Sequence, residues 1–235
     1  MLARAREVAR QHEQLDALCW LETVTVLLAR LGGNILRPLD HARTAMELAE
    51  KVGNAFAGVI ARWGLGSALG LVEDWPASIA ALEGGLTLAR ERRAVLIFEP
   101  AMLACVAGPY LRVGDVELAR ARAEEAVTLA QQRETPSQEI EGQVAVALVH
   151  RHVEGLTARP AIEAALGRAL SLVRNTGARG FEPLIYLERA ELARLTGDEA
   201  TRRRELGEAH RIFVEIDAPI GAANVAKQLG SETAS

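Results

Sequence analysis

Along this chain apolar residues fall in steps of three and four, with charged residues filling the faces between them. That period predicts helices, and no stretch shows the strict alternation of a half-buried strand. The short β-branched run TVTVLL sits inside a longer pattern with leucine at helical spacing, so it too reads as helix. A slower beat lies over the fast one. VAR at Val8, LAE at Leu48, LAR at Leu88, LAQ at Leu129, LVR at Leu172 and IFV at Ile212 return at intervals of 40 to 43 residues. Three residues before each anchor stands Ala5, Ala45, Gly85, Ala126, Ala169 or Ala209. Small residues at one register position predict helices lying so close together that a larger side chain would overpack the contact.

Between anchors the pattern predicts two helices and a short turn. Turn signals stand at Gly32 to Asn34, Glu73 to Pro76, Val113 to Asp115, Thr157 to Pro160 and Thr196 to Asp198. Asp74, Asp115 and Asp198 are placed to cap helix N-termini, and Pro76 and Pro160 suit a first helical turn. KVGN, RETPSQ, NTGARG and IDAP mark the returns. In RETPSQ, Thr135 is expected to cap, with Pro136 at the first helical position and Gln138 completing a capping box. The longest interval absorbs its extra residues most easily in the turn GLTARP.

These residues reach a family. The third unit carries Leu103, Val106, Ala107, Tyr110, Gly114, Asp115, Ala119, Ala123 and Ala126. It resembles the tetratricopeptide (TPR) pattern at the same offsets. The second unit keeps Leu65, Gly66, Leu82 and Gly85, and the fifth keeps Tyr186, Ala190, Gly197, Leu206 and Ala209. The unit is longer than the roughly 34 residues of a standard TPR. Val26 and His150 also stand where a small residue is usual. The resemblance implies an all-α fold, a TPR-like right-handed superhelix of antiparallel helix pairs with a repeat of about 40 residues. Its units would span about 15–53, 54–94, 95–135, 136–177 and 178–218. Residues 1–14 would be a second helix without its first, 219–230 a capping helix and 231–235 a tail, all within one domain of 1–235. The stretch from Glu191 to Gly230 also resembles the C-terminal end of large bacterial signalling regulators. In those proteins an ATP-binding module, sometimes with a cyclase or DNA-binding head, precedes TPR-like repeats. The chain is therefore expected to be the tail of a longer solenoid.

Composition adjusts this picture in few places. Hydrophobic residues make up 49% of the chain but aromatics only 4%, so the core must be built from Ala, Leu and Val. A net charge of −4 leaves no overall footprint for nucleic acid. No charge-free run is long enough to span a bilayer, and the first residues lack a signal core, so a cytoplasmic protein is expected. Cys19 and Cys105 read as reduced, buried thiols.

Candidate chemistry is sparse. WGLGSALG lacks the Lys and Ser/Thr of a phosphate loop and lies within a helix, where Gly64, Gly66 and Gly70 permit close packing. His150 and His152 are two apart and face different ways, so neither a metal site nor a cofactor is expected. Glu124 with Glu125, and Glu139 with Glu141, read as exposed carboxylates supporting helix pairs such as Arg120 to Glu124. The run Arg202 to Arg204 reads as a solvated face. No catalytic residues stand out, and a non-enzyme is expected.

What remains is a groove. In TPR-like arrays the first helix of each pair lines a concave face. The repeat register puts Trp20, Leu27, Arg30, Trp63 and Ser67 in an aromatic, apolar half. Arg112, Arg151, Glu154, Glu191 and Arg194 form a charged half. Trp and Arg are the types that most often anchor interfaces. The expected function is a non-catalytic recognition or sensory domain that holds a peptide, a protein partner or its own N-terminal effector domains. The alternatives are a homodimer scaffold, because a half-repeat leaves an apolar patch to cover, and a small-molecule effector domain.

Overall fold

The computed structural model describes residues 2–230, and among these the protein is entirely α-helical with no strand. Twelve α-helices follow in chain order. They are α1 (Leu2–Gln11), α2 (Leu15–Arg30), α3 (Pro38–Val52), α4 (Ala55–Leu71), α5 (Trp75–Arg92) and α6 (Glu99–Val113). The second half holds α7 (Val116–Gln132), α8 (Pro136–Val153), α9 (Arg159–Thr176), α10 (Glu182–Thr196), α11 (Glu199–Glu215) and α12 (Pro219–Gly230). Consecutive helices pack in pairs, from α2 with α3 to α10 with α11. Each of the first four pairs leans on the next through its second helix, most lightly where α9 meets α10. This sequential packing fits a helical repeat fold. The tail expected at 231–235 lies outside the described residues.

The local signals explain most helix ends. The side chains of Asn54, Asp74, Asp115 and Asp198 accept hydrogen bonds from the backbone N–H three residues on, closing the first turns of α4, α5, α7 and α11. Thr135 does not cap α8, so the expected capping box does not form. Its hydroxyl donates back to the Ala130 carbonyl instead. The turn GLTARP is tighter than a simple connection, with Gly155–Ala158 forming a 3-10 segment.

Small residues govern the seams. Ala45, Gly85, Ala126, Ala169 and Ala209 are all buried. Ala5 is exposed, and Val8 beside it is 46% exposed. Among the described residues helix α1 packs only lightly on α2, and its first turns stay largely exposed. The position following each anchor is the more faithful marker of the core. Ala9, Ala49, Ala89, Ala130, Val173 and Phe213 are buried in all six helices. Between the seams Leu82, Leu86, Met102, Leu103, Ile140, Ile162, Leu166 and Ile185 are fully enclosed. Each contributes roughly 1.5–3 kcal/mol by leaving water.

The stretch Leu96–Val113 is long and apolar enough, by length and composition, to cross a membrane, although the sequence reading found none that long. Here 61% of it is buried inside the protein, most of it as core helix α6.

Two features set the position of the inner helices. Helix α2 packs along α4 and α6 along α8, whereas α4 and α6, and likewise α8 and α10, touch at few points. The array also curls until its first and last units meet. The N–H of Gly221 donates to the carbonyl of Gly32 at 3.1 Å. A Cβ on Gly32 would stand 2.8 Å from the Phe213 ring and 2.9 Å from the Gly221 backbone. Gly32 also holds φ at +80°, so glycine is required there twice over.

Candidate functional site

The curl brings the end of α2 over α6, α8 and the start of α10, and a cavity of about 180 Å³ opens where they converge. Its apolar walls are Ala104 and Gly108 on α6, Val144, Ala145 and Leu148 on α8, and Phe181 with Leu184 at the start of α10. Three polar side chains share it: Arg30, Cys105 and Glu141. Arg30 Nη1 donates to Glu141 Oε2 at 3.2 Å. No other hydrogen bond joins the Arg30 guanidinium to the described residues. The Arg30 side chain is 25% exposed, so the donors that Glu141 leaves open face the hollow and its solvent.

The polar cluster continues behind the cavity wall. Trp63 Nε1 donates to Cys105 Sγ at 3.5 Å, and Cys105 Sγ lies 4.0 Å from Glu141 Oε2. Ser67 is buried, and its Oγ has no hydrogen-bond partner among the described residues. Burial pushes the Glu141 carboxyl up, while the charge and hydrogen bond of Arg30 pull it down, with burial ahead. Burial likewise pushes the Cys105 thiol up, which keeps it protonated and a poor nucleophile. Cys19 is different. It sits in the dry core, donates to the Ala45 carbonyl and is pushed up to about 11 by burial and then by Asp16 and Glu22.

An aromatic group stands next to this cluster. Val95 adopts φ +57°, a rare conformation for a β-branched residue, and launches the 3-10 turn Leu96–Phe98. That turn delivers Phe98 between two tryptophans. The Phe98 ring stacks on Trp20 at 5.5 Å between centroids and meets Trp63 at the same distance, tilted.

The cavity shares Gly108 and Leu148 with a second hollow of about 320 Å³, bordered by Trp75, Arg112, Arg151 and His152. Exposed Arg112 lies over the Trp75 ring at 5.6 Å and meets no carboxylate among the described residues. Arg151 forks onto Glu188 of α10, its Nε donating at 2.8 Å and its Nη2 at 3.4 Å.

The residues expected along the groove therefore divide. Trp63 meets Cys105 behind the cavity that Arg30 lines, and Trp20 stacks on Phe98, but Trp63 and Ser67 are buried in the core and cannot touch a partner directly. Arg112 and Arg151 border the outer hollow. Glu154 is turned to Arg120 and His150, so the expected Arg120 to Glu124 pair is replaced by one between helices. Glu191 pairs with Arg194 on α10 and also acts through its charge on Arg151, although it lines neither hollow.

Sequence reading missed Glu141, Cys105, Phe98 and Phe181. Glu141 stands in the run EIEGQVAVALV beside a second carboxylate, Glu139, and nothing in that run marks which of the two enters a cavity. Neither Glu139 nor Glu141 is freely exposed. Glu139 is buried and takes a two-pronged contact from Arg168 at 2.9 and 3.0 Å. Among the described residues no three His, Cys, Asp or Glu side chains gather as metal ligands would. No family model and no curated protein matches the chain.

Proposed function

We infer that this is a TPR-like right-handed spiral with a unit of about 40 residues that recognises a protein segment or partner domain and does no chemistry of its own. The recognition face is the outer hollow between α6 and α8, where Trp75, Arg112, Arg151 and His152 surround an apolar floor. One observation carries the reading: an exposed arginine stacked on a tryptophan, with no carboxylate to neutralise it. An aromatic and an arginine side by side are typical interface anchors, and an unpaired cation favours an acidic segment. In this reading the domain is the sensory end of a larger bacterial signalling or transcription-regulatory protein.

The test is selection of peptides from a display library, followed by affinity measurement on the winners. Selected peptides should carry Asp or Glu beside an apolar residue. Their binding should weaken about tenfold or more in Arg112→Glu, since a charged hydrogen bond is replaced by repulsion. Peptides that bind wild type and Arg112→Glu alike would sink the reading.

A second reading is self-association, favoured by the uncovered side of α1 with Ala5 and Val8 exposed. Sedimentation across a concentration series separates the two, because a monomer at every concentration excludes it.

A further inference from the structure

The central cavity has a charge pattern of its own. At one end Arg30 spends a single donor on Glu141, leaving Nε and Nη2 without a partner among the described residues. Glu141 in turn has a second oxygen, Oε1, that accepts no hydrogen bond there. A guanidinium edge and a carboxylate edge thus stand side by side at one end of a hollow. The other walls are apolar, from Val144, Leu148, Phe181 and Leu184.

Helix α6 carries a proline at the same place. Pro109 lies inside it and has no N–H to give the Cys105 carbonyl four residues earlier. A backbone acceptor is freed in the turn that forms the cavity wall. The Arg30 and Glu141 side chains stay 25% and 11% exposed, so both edges open onto the hollow, where a zwitterion would satisfy donor and acceptor together.

We propose that this cavity binds a free α-amino acid with a branched apolar side chain. The carboxylate of the ligand would lie on the open edge of Arg30, where a fork of N–H donors matches two oxygens. Its ammonium would donate to Glu141 Oε1 and to the Cys105 carbonyl. The side chain would fill the space between Leu148, Phe181 and Leu184. The two ligand charges sit as close together as the two protein charges do, so the existing Arg30–Glu141 contact persists. The size agrees: the cavity measures about 180 Å³, and an apolar cavity of roughly 150 Å³ accepts benzene. Because α2, α6, α8 and α10 all contribute walls, an occupied cavity would tie four helix pairs together. This site is separate from the outer face, and it stands or falls whether or not that face carries a partner.

Calorimetric titration of the whole chain with L-leucine tests it, beside 4-methylpentanoate, which lacks the ammonium, and 3-methylbutylamine, which lacks the carboxylate. Leucine should bind saturably, and each analogue should bind about ten- to a hundredfold more weakly, the loss expected for one charged hydrogen-bonding group. Glycine, without the apolar body, should give no measurable heat. Glu141→Gln should weaken leucine by a similar factor, and Leu184→Trp should abolish binding by filling the hollow without touching the ion pair. No saturable binding of leucine at millimolar concentration overturns the proposal. So does 4-methylpentanoate binding as tightly as leucine, and so does leucine affinity unchanged in both variants. The analogue series uses wild-type protein alone, so it decides the matter even if a variant fails to fold.

Discussion

The seam between α2 and α4 and the seam between α8 and α10 both join the first helices of neighbouring pairs, yet they are made of opposite materials. In the first, Gly64 faces Thr23 so closely that a Cβ would stand 3.3 Å from the threonine side chain. The Thr23 hydroxyl donates to the Ile60 carbonyl at 3.3 Å, and the helices pack along much of their length. In the second the helices barely touch, and Arg151 reaches across to Glu188. Small residues let two rods close up and exclude water. Long charged ones hold two rods apart and tie them by a tether of charge, here with each side chain 17% exposed.

A large effect should come from breaking the dry seam. Gly64→Leu forces a side chain into Thr23 and is expected to cost about 1–3 kcal/mol, as overpacking does. Urea unfolding followed by tryptophan fluorescence would measure it, with Trp20 and Trp63 close by.

Next comes a seam that is charged yet buried. Glu99 is 3% exposed and accepts from Arg90 and Arg133, each at 2.6 Å. Burial pushes its carboxyl up, but hydrogen bonds and charge from Arg133 and Arg90 outweigh this and hold it below the usual carboxylate range. Glu139 is held low in the same manner, with Arg168 and Gln131 overcoming burial. Glu99→Gln should therefore cost about 1.5–3 kcal/mol near neutral pH, the worth of hydrogen bonds to a charged group. A carboxyl held low when folded contributes stability that is complete above its unfolded pKa. It is lost as pH falls through the folded value. The wild-type urea midpoint should thus fall as the medium is acidified below about pH 4.3. Glu99→Gln should flatten that fall, and an equal slope in both proteins would show that the pair is not responsible.

The smallest effect belongs to the tether. Arg151→Gln should cost about 1 kcal/mol, since each side chain of the pair is 17% exposed and Gln can keep one hydrogen bond to Glu188. Its signature is local. Amide exchange should quicken in α10, α11 and α12 and stay unchanged in α4 and α5. Uniform quickening along the chain would mean the two seams are not energetically distinct.

How much of this was legible depends on which physics fixed each feature. The helices, their pairing and three aspartate caps follow from periodicity and turn chemistry, which are local, and they are visible in residues such as Asp74 and Asp115. The small-residue beat held in the packed pairs and failed at Ala5, on the lightly packed α1. The register also placed Trp20, Arg30, Trp63 and Ser67 on one side of the array. It could not show that the array curls far enough to set Arg30 against Glu141, 111 residues away. That distance depends on small angles accumulated over several pairs, and no single residue encodes it. Glu141 was read as solvated because its own helix offers no reason for burial, and the reason lies in α2. Thr135 illustrates the opposite limit, since a correct cap sequence found a nearer acceptor in Ala130.

The meeting of Gly32 with Gly221 changes what kind of polymer this protein is. A linear stack obeys nearest-neighbour additivity: it frays from its ends and survives the loss of a terminal unit. The contact ties the first pair to the last helix, so shedding that helix would also strip a neighbour from the first pair. Melting should then approach all-or-none behaviour, and shortened versions should lose far more than their missing share of stability.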